Sequence, residues 1–218
     1  MVYNFCYAVL IIGPTGSGKS PLGDHFERAL GYAHFDFGHL LREAVRDESS
    51  VFTGEELSFI KWMLENKALL PKERFIIAEK LLKAFIEKNK GKRLVLNGFP
   101  RAVHQAEQIA KFIDVQKVIY LNCSKEVVLK RVGKRKLGLS DDHSGRTDDE
   151  LQDIELKLKI FEKNTLPLIE WYRSQGVEIV KSEVKMDTQP EDHVKSVAAE
   201  LALLKQAKQA LPLHSIKK

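Results

Sequence analysis

The chain has 218 residues, and 44% of them are hydrophobic, which is enough to bury a core without disulfide bonds or a structural metal. The formal charge of +5 is compatible with anionic small molecules as well as with nucleic acid, but the basic clusters lack interleaved aromatic residues, which argues against a nucleic-acid surface. Its two isolated cysteines, Cys6 and Cys123, form no Cys-x-x-Cys pair, so we interpret them as buried side chains and predict no zinc site.

The first predicted strand, residues 6–12, is followed at once by the glycine-rich sequence Gly13-Pro14-Thr15-Gly16-Ser17-Gly18-Lys19-Ser20. Glycines at this spacing let successive backbone N–H groups point at phosphate oxygens, the lysine reaches the outer phosphates, and the following hydroxyl can ligate magnesium. We therefore predict a phosphate-binding loop rather than an ordinary turn. The strand before it is short and has no basic leader, so we expect no signal peptide, no membrane span and a cytoplasmic protein.

Apolar runs separated by helical patterns continue along the chain, which is typical of a parallel sheet covered by helices on both faces. Further strands are predicted near residues 33–35 and at residues 93–96, 118–121 and 177–180. Helices are predicted after Pro71, from Ser124 and from a capping-box sequence at residues 147–150. The turn-rich residues 137–145 are expected to form a mobile surface loop.

Three arginines follow these predicted elements at informative positions. Arg101 ends the sequence Gly-Phe-Pro-Arg after the strand at residues 93–96, so it projects from the carboxyl edge of the sheet, where ligands bind. Arg42 lies in the helix after the second strand, and Arg146 follows the turn-rich loop. A planar guanidinium binds phosphate oxygens in pairs, so this pattern favours phosphate chemistry.

These motifs, in this order, resemble adenylate kinase and its nucleoside monophosphate kinase relatives. The resemblance covers residues 6–195 and rests on the phosphate loop, Gly-x-Leu-Leu-Arg, Gly-Phe-Pro-Arg with a glutamine four residues on, and Ser-Gly-Arg-x-Asp-Asp. It implies an α/β fold, a P-loop NTPase three-layer sandwich with a five-stranded parallel sheet, a helical insertion that binds the monophosphate, and a short lid without a zinc cluster.

The same resemblance implies one kinase domain over residues 1–218. Its parts are a core of residues 1–35, 72–130 and 147–210, the insertion at residues 36–71, the lid at residues 131–146 and a tail at residues 211–218.

The activity that the resemblance implies is transfer of the γ-phosphoryl group of ATP to a nucleoside monophosphate, with Mg²⁺ as cofactor. The protein is expected to be a monomer without nucleic-acid or membrane partners. Gln105 resembles the family's adenine-binding amide, which favours AMP as acceptor and ADP as product. Two alternatives stay open: a catalytically weak nucleotide-binding or scaffolding relative, and a kinase of another nucleoside monophosphate.

Site residues are implied by the resemblance as well. Those expected to bind ATP are Gly13, Thr15, Gly16, Ser17, Gly18, Lys19, Ser20, Arg131 and Gln189. Those expected to bind the monophosphate are Phe37, Arg42, Leu70, Gly98, Arg101, Gln105, Arg146 and Lys157. Those expected to act in catalysis, by positioning and by neutralising the transferred group, are Lys19, Arg101, Arg131, Arg135, Arg146 and Lys157.

The magnesium site departs from the family pattern at two positions. His39 and Asn97 stand where the family has aspartates that hold the water shell of the ion, so metal binding is expected to be weaker or rearranged. Ser20 remains as the candidate metal ligand. Asp36 is close to His39 in sequence and is a candidate to compensate, although the sequence leaves its direction open.

Two further departures concern the phosphates. Pro21 has no N–H to donate to the donor phosphates, so one hydrogen bond of the family is expected to be lost. Lys157, with Lys159 as a competing candidate, stands where the family has an arginine and keeps the charge without the paired geometry. We expect slower transfer rather than none.

Overall fold

The computed structural model describes residues 6–136 and 151–195, with side chains for all of these except 135, 136 and 151. Its strands are β1 (Cys6–Ile12), β2 (Ala33–Asp36), β3 (Leu94–Asn97), β4 (Ile113–Asn122) and β5 (Glu178–Glu183). They form a five-stranded sheet in the order β2-β3-β1-β4-β5, and every neighbouring pair is parallel. The predicted α/β class and five-stranded parallel sheet are confirmed.

Helices connect consecutive strands. They are α1 (Lys19–Leu30), α2 (Phe37–Arg46), α3 (Gly54–Glu65), α4 (Ile76–Lys88), α5 (Val103–Ile109), α6 (Lys125–Lys136), α7 (Leu151–Ile160) and α8 (Pro167–Ser174). A 3₁₀ turn, Lys72–Arg74, precedes α4, and a π-helical turn, Phe161–Thr165, joins α7 to α8. Among the residues that the structure describes, no helix combines the length and apolar character needed to cross a bilayer.

Two predicted boundaries were wrong. The α-helix predicted after Pro71 starts later than expected, because Pro71, with φ of −73°, precedes a 3₁₀ turn and α4 starts only at Ile76. Proline fits the start of either kind of helical turn, so its presence could not distinguish them. The strand predicted at residues 118–121 begins much earlier, at Ile113, because polar residues in it hid the strand pattern. Lys117 is 1% exposed there and pairs with Glu178 of β5 at 2.7 Å.

Alternate side chains of β1 face opposite layers of helices. Val9 and Ile11 pack with Phe26 of α1 on one face. Leu10 and Ile12 pack on the other face with buried residues of α2, α4, α5 and α8. The sheet is therefore the middle of three layers, and both of its faces are apolar.

Both cysteines are free thiols at intermediate burial, packed against the edges of the core clusters. Burial raises the pKa of Cys6 and of Cys123 above the usual value, so both stay protonated near neutral pH. They act as small apolar side chains, close to the interpretation made from the sequence.

The strand register brings polar residues together at the carboxyl edge of the sheet. Asp36 at the end of β2 is the register partner of Asn97 at the end of β3. Asn97 is also the partner of Ile11 in β1, and the glycine-rich loop starts directly after this strand. The ends of three strands and the loop therefore meet in one place.

Glu56 joins α3 to α4 and is nearly buried. Its backbone N–H donates to Thr53 Oγ1 at 3.2 Å, while its carboxylate accepts from the Thr53 N–H at 2.8 Å in a capping box. Lys80 Nζ on α4 donates to both carboxylate oxygens at 2.8 Å. The Lys80 ammonium, followed by the Thr53 N–H, holds the pKa of Glu56 below its usual value of 4.5.

The change Glu56→Gln is predicted to lower the free energy of unfolding by about 1 kcal/mol at pH 7, because glutamine keeps the cap but loses the charge opposite Lys80. Since the folded-state pKa is lowered, this stabilisation is complete above pH 4.5 and is lost as the pH falls through the lowered pKa. Urea denaturation of the native protein and the variant at pH 7 and pH 4 measures the difference.

The control is Glu55→Gln, which removes the ion pair with Arg74 from a carboxylate that is 76% exposed. A change of less than about 0.5 kcal/mol is expected there. A Glu56→Gln difference that stays constant, or grows, on acidification would contradict the role given to this carboxylate.

Candidate active site

A cleft of about 1260 Å³ lies along the carboxyl edge of the sheet. The residues predicted for the site that line it are Gly13, Thr15, Gly16, Gly18, Lys19, Ser20, Phe37, Arg42, Leu70, Gly98, Arg101, Gln105, Arg131, Lys157 and Gln189. The predicted site residue Ser17 does not line the cleft. Its side chain is fully buried, and its N–H donates to the Pro14 carbonyl at 3.3 Å. Arg146 lies outside the described residues, and the side chain of Arg135 is not described.

The glycine-rich loop has a backbone that only glycine adopts without strain. Gly16 and Gly18 have φ values of 73° and 94°, in the left-handed region. A Cβ at Gly16 would lie 2.8 Å from the side chain of Val132, so the loop also needs the space. Lys19 Nζ donates to the Pro14 carbonyl at 2.7 Å, which holds this cation against the loop.

Three polar side chains meet beside the loop. Ser20 Oγ donates to Asp36 Oδ2 at 2.7 Å, and Asn97 Nδ2 donates to the same oxygen at 2.7 Å. Asn97 Nδ2 also lies 3.0 Å from Ser20 Oγ. The direction of Asp36, which the sequence left open, is therefore toward the predicted metal ligand Ser20.

His39 is turned away from this group. Its imidazole is 59% exposed and lies 3.3 Å from Glu43, one turn further along α2. Its backbone N–H, by contrast, donates to Asp36 Oδ1 at 3.0 Å, and Asp36 is the N-cap of α2. Position 39 therefore contributes its backbone N–H, and not its imidazole, to the group formed by Ser20, Asp36 and Asn97.

The opposite end of the cleft carries the predicted acceptor residues. Arg101 is exposed, and its Nε donates to the Gly98 carbonyl at 2.8 Å. The buried Gln105 donates from Nε2 to the Leu70 carbonyl at 2.9 Å and accepts at Oε1 from the Arg101 N–H at 2.8 Å. The amide of Gln105 thus joins the segment before α4 to the segment before α5.

Phe37 forms part of the cleft wall at the end that contains Arg101 and Gln105, the predicted acceptor end, and packs in an aromatic cluster. It is 6% exposed, and its ring centroid lies 4.8 Å from that of Phe99 and 6.1 Å from that of Phe35. Because these rings belong to the core, the wall is apolar and firmly held.

Arg131 of α6 lies beside the glycine-rich loop, at the end of the cleft predicted to bind the donor, and bonds three backbone carbonyls. Its Nε donates to Gly16 at 3.1 Å, and its Nη1 donates to Lys185 at 2.9 Å and to Thr188 at 3.1 Å. The guanidinium links the glycine-rich loop to the segment after β5, where Gln189 also lines the cleft.

The two candidate lysines on α7 differ in exposure and in whether they line the cleft. Lys157 is half-buried and lines the cleft, whereas Lys159 is exposed and does not. The sequence missed Lys67, whose ammonium pairs with Asp153 of α7, 86 positions along the chain. Lys67 has φ of 53°, and no local sequence signal identifies a non-glycine residue in that conformation.

Comparison with known proteins identifies the family. The family model for adenylate kinase matches residues 11–177. Adenylate kinase isoenzyme 1 of Caenorhabditis elegans is 32% identical over 169 residues, which are 76% of this chain and 75% of the relative. The adenylate kinase of Borreliella burgdorferi is 31% identical over 203 residues, which are 82% of this chain and 92% of the relative.

A third relative carries a different name. UMP-CMP kinase 3 of Arabidopsis thaliana is 27% identical over 195 residues, which are 84% of this chain and 89% of the relative. The residues that the family model matches include the glycine-rich loop, Arg42, Arg101 and the strands β2, β3 and β4. With this architecture and these matches, the chain belongs to the adenylate kinase family and is a nucleoside monophosphate kinase.

Proposed function

We propose that this kinase transfers the γ-phosphoryl group of ATP, bound with Mg²⁺, to AMP and so forms two molecules of ADP. The observation that carries the choice of AMP is the Gln105 amide, which lines the same cleft as the glycine-rich loop, Arg42 and Arg101. These side chains support the choice of AMP because an amide can bind adenine and two arginines can bind a phosphate at the same end of the cleft.

The adenine edge presents an amino donor beside a ring nitrogen acceptor. Beside its bonds to Leu70 and to the Arg101 N–H, the Gln105 amide has a second N–H and a second oxygen lone pair, and a glutamine amide that offers both can match adenine. The Leu70 carbonyl, 2.9 Å from Gln105 Nε2, provides a further acceptor for the amino group. The apolar wall at Phe37 suits the flat face of a base.

The acceptor phosphate would be bound by Arg42 and Arg101. Both guanidiniums lie on the rim of the acceptor end and are exposed. Arginine binds phosphate through pairs of hydrogen bonds, which orient the attacking oxygen and offset its negative charge.

The donor triphosphate would be bound by the backbone of the glycine-rich loop and by Lys19. This cation already lies at the loop through its bond to the Pro14 carbonyl. Ser20 and Asp36 offer a hydroxyl and a carboxylate oxygen, which are ligands that fit a hard divalent cation. When bound, Mg²⁺ would neutralise charge on the donor phosphates.

Transfer itself would depend on position and on neutralised charge. Arg131 and Lys157 line the cleft at the donor end and on α7, and the sequence adds Arg135 and Arg146 to this set. Phosphoryl transfer needs little covalent assistance, so cations that converge on the transferred group account for much of the rate. Exclusion of water from the cleft during transfer would protect the donor from hydrolysis.

A pyrimidine monophosphate is the second candidate acceptor. The observation in its favour is that the amide oxygen and the amide nitrogen of Gln105 are each bonded to the backbone. A base that forms no hydrogen bond with this amide would leave those two bonds intact. UMP-CMP kinases are also among the relatives of the chain.

A coupled assay with AMP, CMP, UMP and GMP is predicted to show the highest kcat/KM with AMP. Gln105→Met is expected to lower the value for AMP by about tenfold to a hundredfold, since a bidentate contact to a base contributes about 1–3 kcal/mol. Gln108→Met on the same helix is the control and should leave kcat/KM within about twofold of native.

A preference for CMP or UMP that survives Gln105→Met would establish the pyrimidine alternative. No turnover with any acceptor in folded protein would instead favour a nucleotide-binding relative without catalysis. Melting temperatures of both variants verify that the comparison concerns folded protein.

Pro21→Ala is predicted to strengthen ATP binding by about tenfold. Pro21 lies in the first turn of α1, where N–H groups are free to bond phosphate, and alanine restores the N–H that proline lacks. A charge-assisted hydrogen bond contributes about 1.5–3 kcal/mol, so tenfold is the lower end of the range. Calorimetric titration with ATP measures the change.

Pro167→Ala is the matched control, because Pro167 lies in the first turn of α8 and does not line the cleft. Its ATP affinity should equal that of the native protein. Equal affinity of Pro21→Ala and native protein would show that residue 21 does not contribute to the donor site.

A further inference from the structure

We propose that Asp36 provides the carboxylate of the magnesium site, in place of the side chains at positions 39 and 97, and that Asn97 holds it in position. The inference rests on the proposed use of Mg²⁺ and ATP. The family pattern does not assign this role, because Asp36 lies three residues before the position where that pattern has an acidic residue. The sequence offers Asp36 only as a candidate whose direction it leaves open.

The two carboxylate oxygens of Asp36 have different partners. Oδ1 accepts the His39 N–H at 3.0 Å and caps α2. Oδ2 accepts the Ser20 hydroxyl and the Asn97 amide, both at 2.7 Å. One oxygen therefore anchors the side chain to its own helix, and the other faces the last residue of the glycine-rich loop.

Asn97 acts as a positioning residue in this arrangement. It is 2% exposed, is the register partner of Asp36, and bonds both Asp36 and Ser20 through one amide nitrogen. An aspartate at this position would set a second negative charge directly against the first. The uncharged amide instead donates to Asp36 and fixes the direction of its carboxylate.

The distance between the two candidate oxygens fits a shared ion. Neighbouring oxygens around an octahedral Mg²⁺ are about 3 Å apart, given bonds of about 2.1 Å. Ser20 Oγ and Asp36 Oδ2 are 2.7 Å apart. Mg²⁺ bound to nucleotide commonly has one or two carboxylates together with phosphates, waters and the hydroxyl of the loop. The exposed His39, paired with Glu43, offers no such oxygen.

The test measures binding of adenylyl imidodiphosphate, an ATP analogue that cannot transfer its phosphoryl group, by calorimetry in Mg²⁺ and in EDTA. The native protein is expected to bind more tightly in Mg²⁺ than in EDTA. Asp36→Asn should reduce this gain about tenfold, since it removes a charged ligand. In EDTA the same variant should bind equally or more tightly, because a negative charge beside the triphosphate is gone.

Asparagine caps helices as well as aspartate does, so this variant keeps the N-cap of α2. The exchange Asp36→Asn with Asn97→Asp returns a carboxylate to the same pair of strand ends. It should recover the magnesium-dependent gain to within about threefold of native. Asp47→Asn, at the exposed C-terminal end of α2, is the charge control and should keep the native gain.

If Asp36→Asn weakens binding of the analogue equally in Mg²⁺ and in EDTA, Asp36 has a structural role and the inference is overturned. It is overturned as well if the magnesium-dependent gain of Asp36→Asn equals that of the native protein. If the native protein binds the analogue in neither condition, both the inference and the proposed use of ATP fail. If Asp36→Asn does not fold, the double exchange decides, and a gain below a tenth of native then overturns the inference.

Discussion

The parallel pairing of β1, β2 and β3 is the constraint on which the site depends. It brings the carboxyl ends of three strands together, so that Asp36, Asn97 and the loop after Ile12 share one edge of the sheet. A register slip of one residue would turn Asp36 and Asn97 to opposite faces. Val95 and Leu96 of β3 are fully buried on the two faces of the sheet, so the apolar core holds the strand that carries Asn97.

Main-chain carbonyls hold the cations of the cleft. Lys19 donates to Pro14, Arg101 donates to Gly98, and Arg131 donates to Gly16 and to the segment after β5. Each of these acceptors is a dipole without net charge, and cations placed along one cleft favour an anionic ligand there. Phosphate oxygens form stronger, charge-assisted bonds with the same donors. The cleft is therefore arranged for negative ligands before one arrives.

The sequence predicted those parts of the fold and site that depend on local patterns. Glycines at fixed spacing identified the loop, and apolar runs identified the strands, because both patterns follow from backbone conformation and burial. The sequence did not predict the first half of β4, because Lys117 there is buried and pairs with Glu178 of β5, a strand 61 positions along the chain. It also left the direction of Asp36 open, since that direction depends on strand register and on Asn97, 61 positions away. A monomeric state and a cytoplasmic location stay predictions.

Lys67 and Asp153 connect the segment after α3 to α7 through an ion pair between elements far apart in the sequence. Any motion that separates the two segments must exchange the ion pair for hydrated charges. Both side chains are largely shielded, at 27% and 18% exposure, so dissolved salt screens the pair only weakly. Opening the cleft between these two segments would therefore carry an electrostatic cost that dissolved salt relieves only in part.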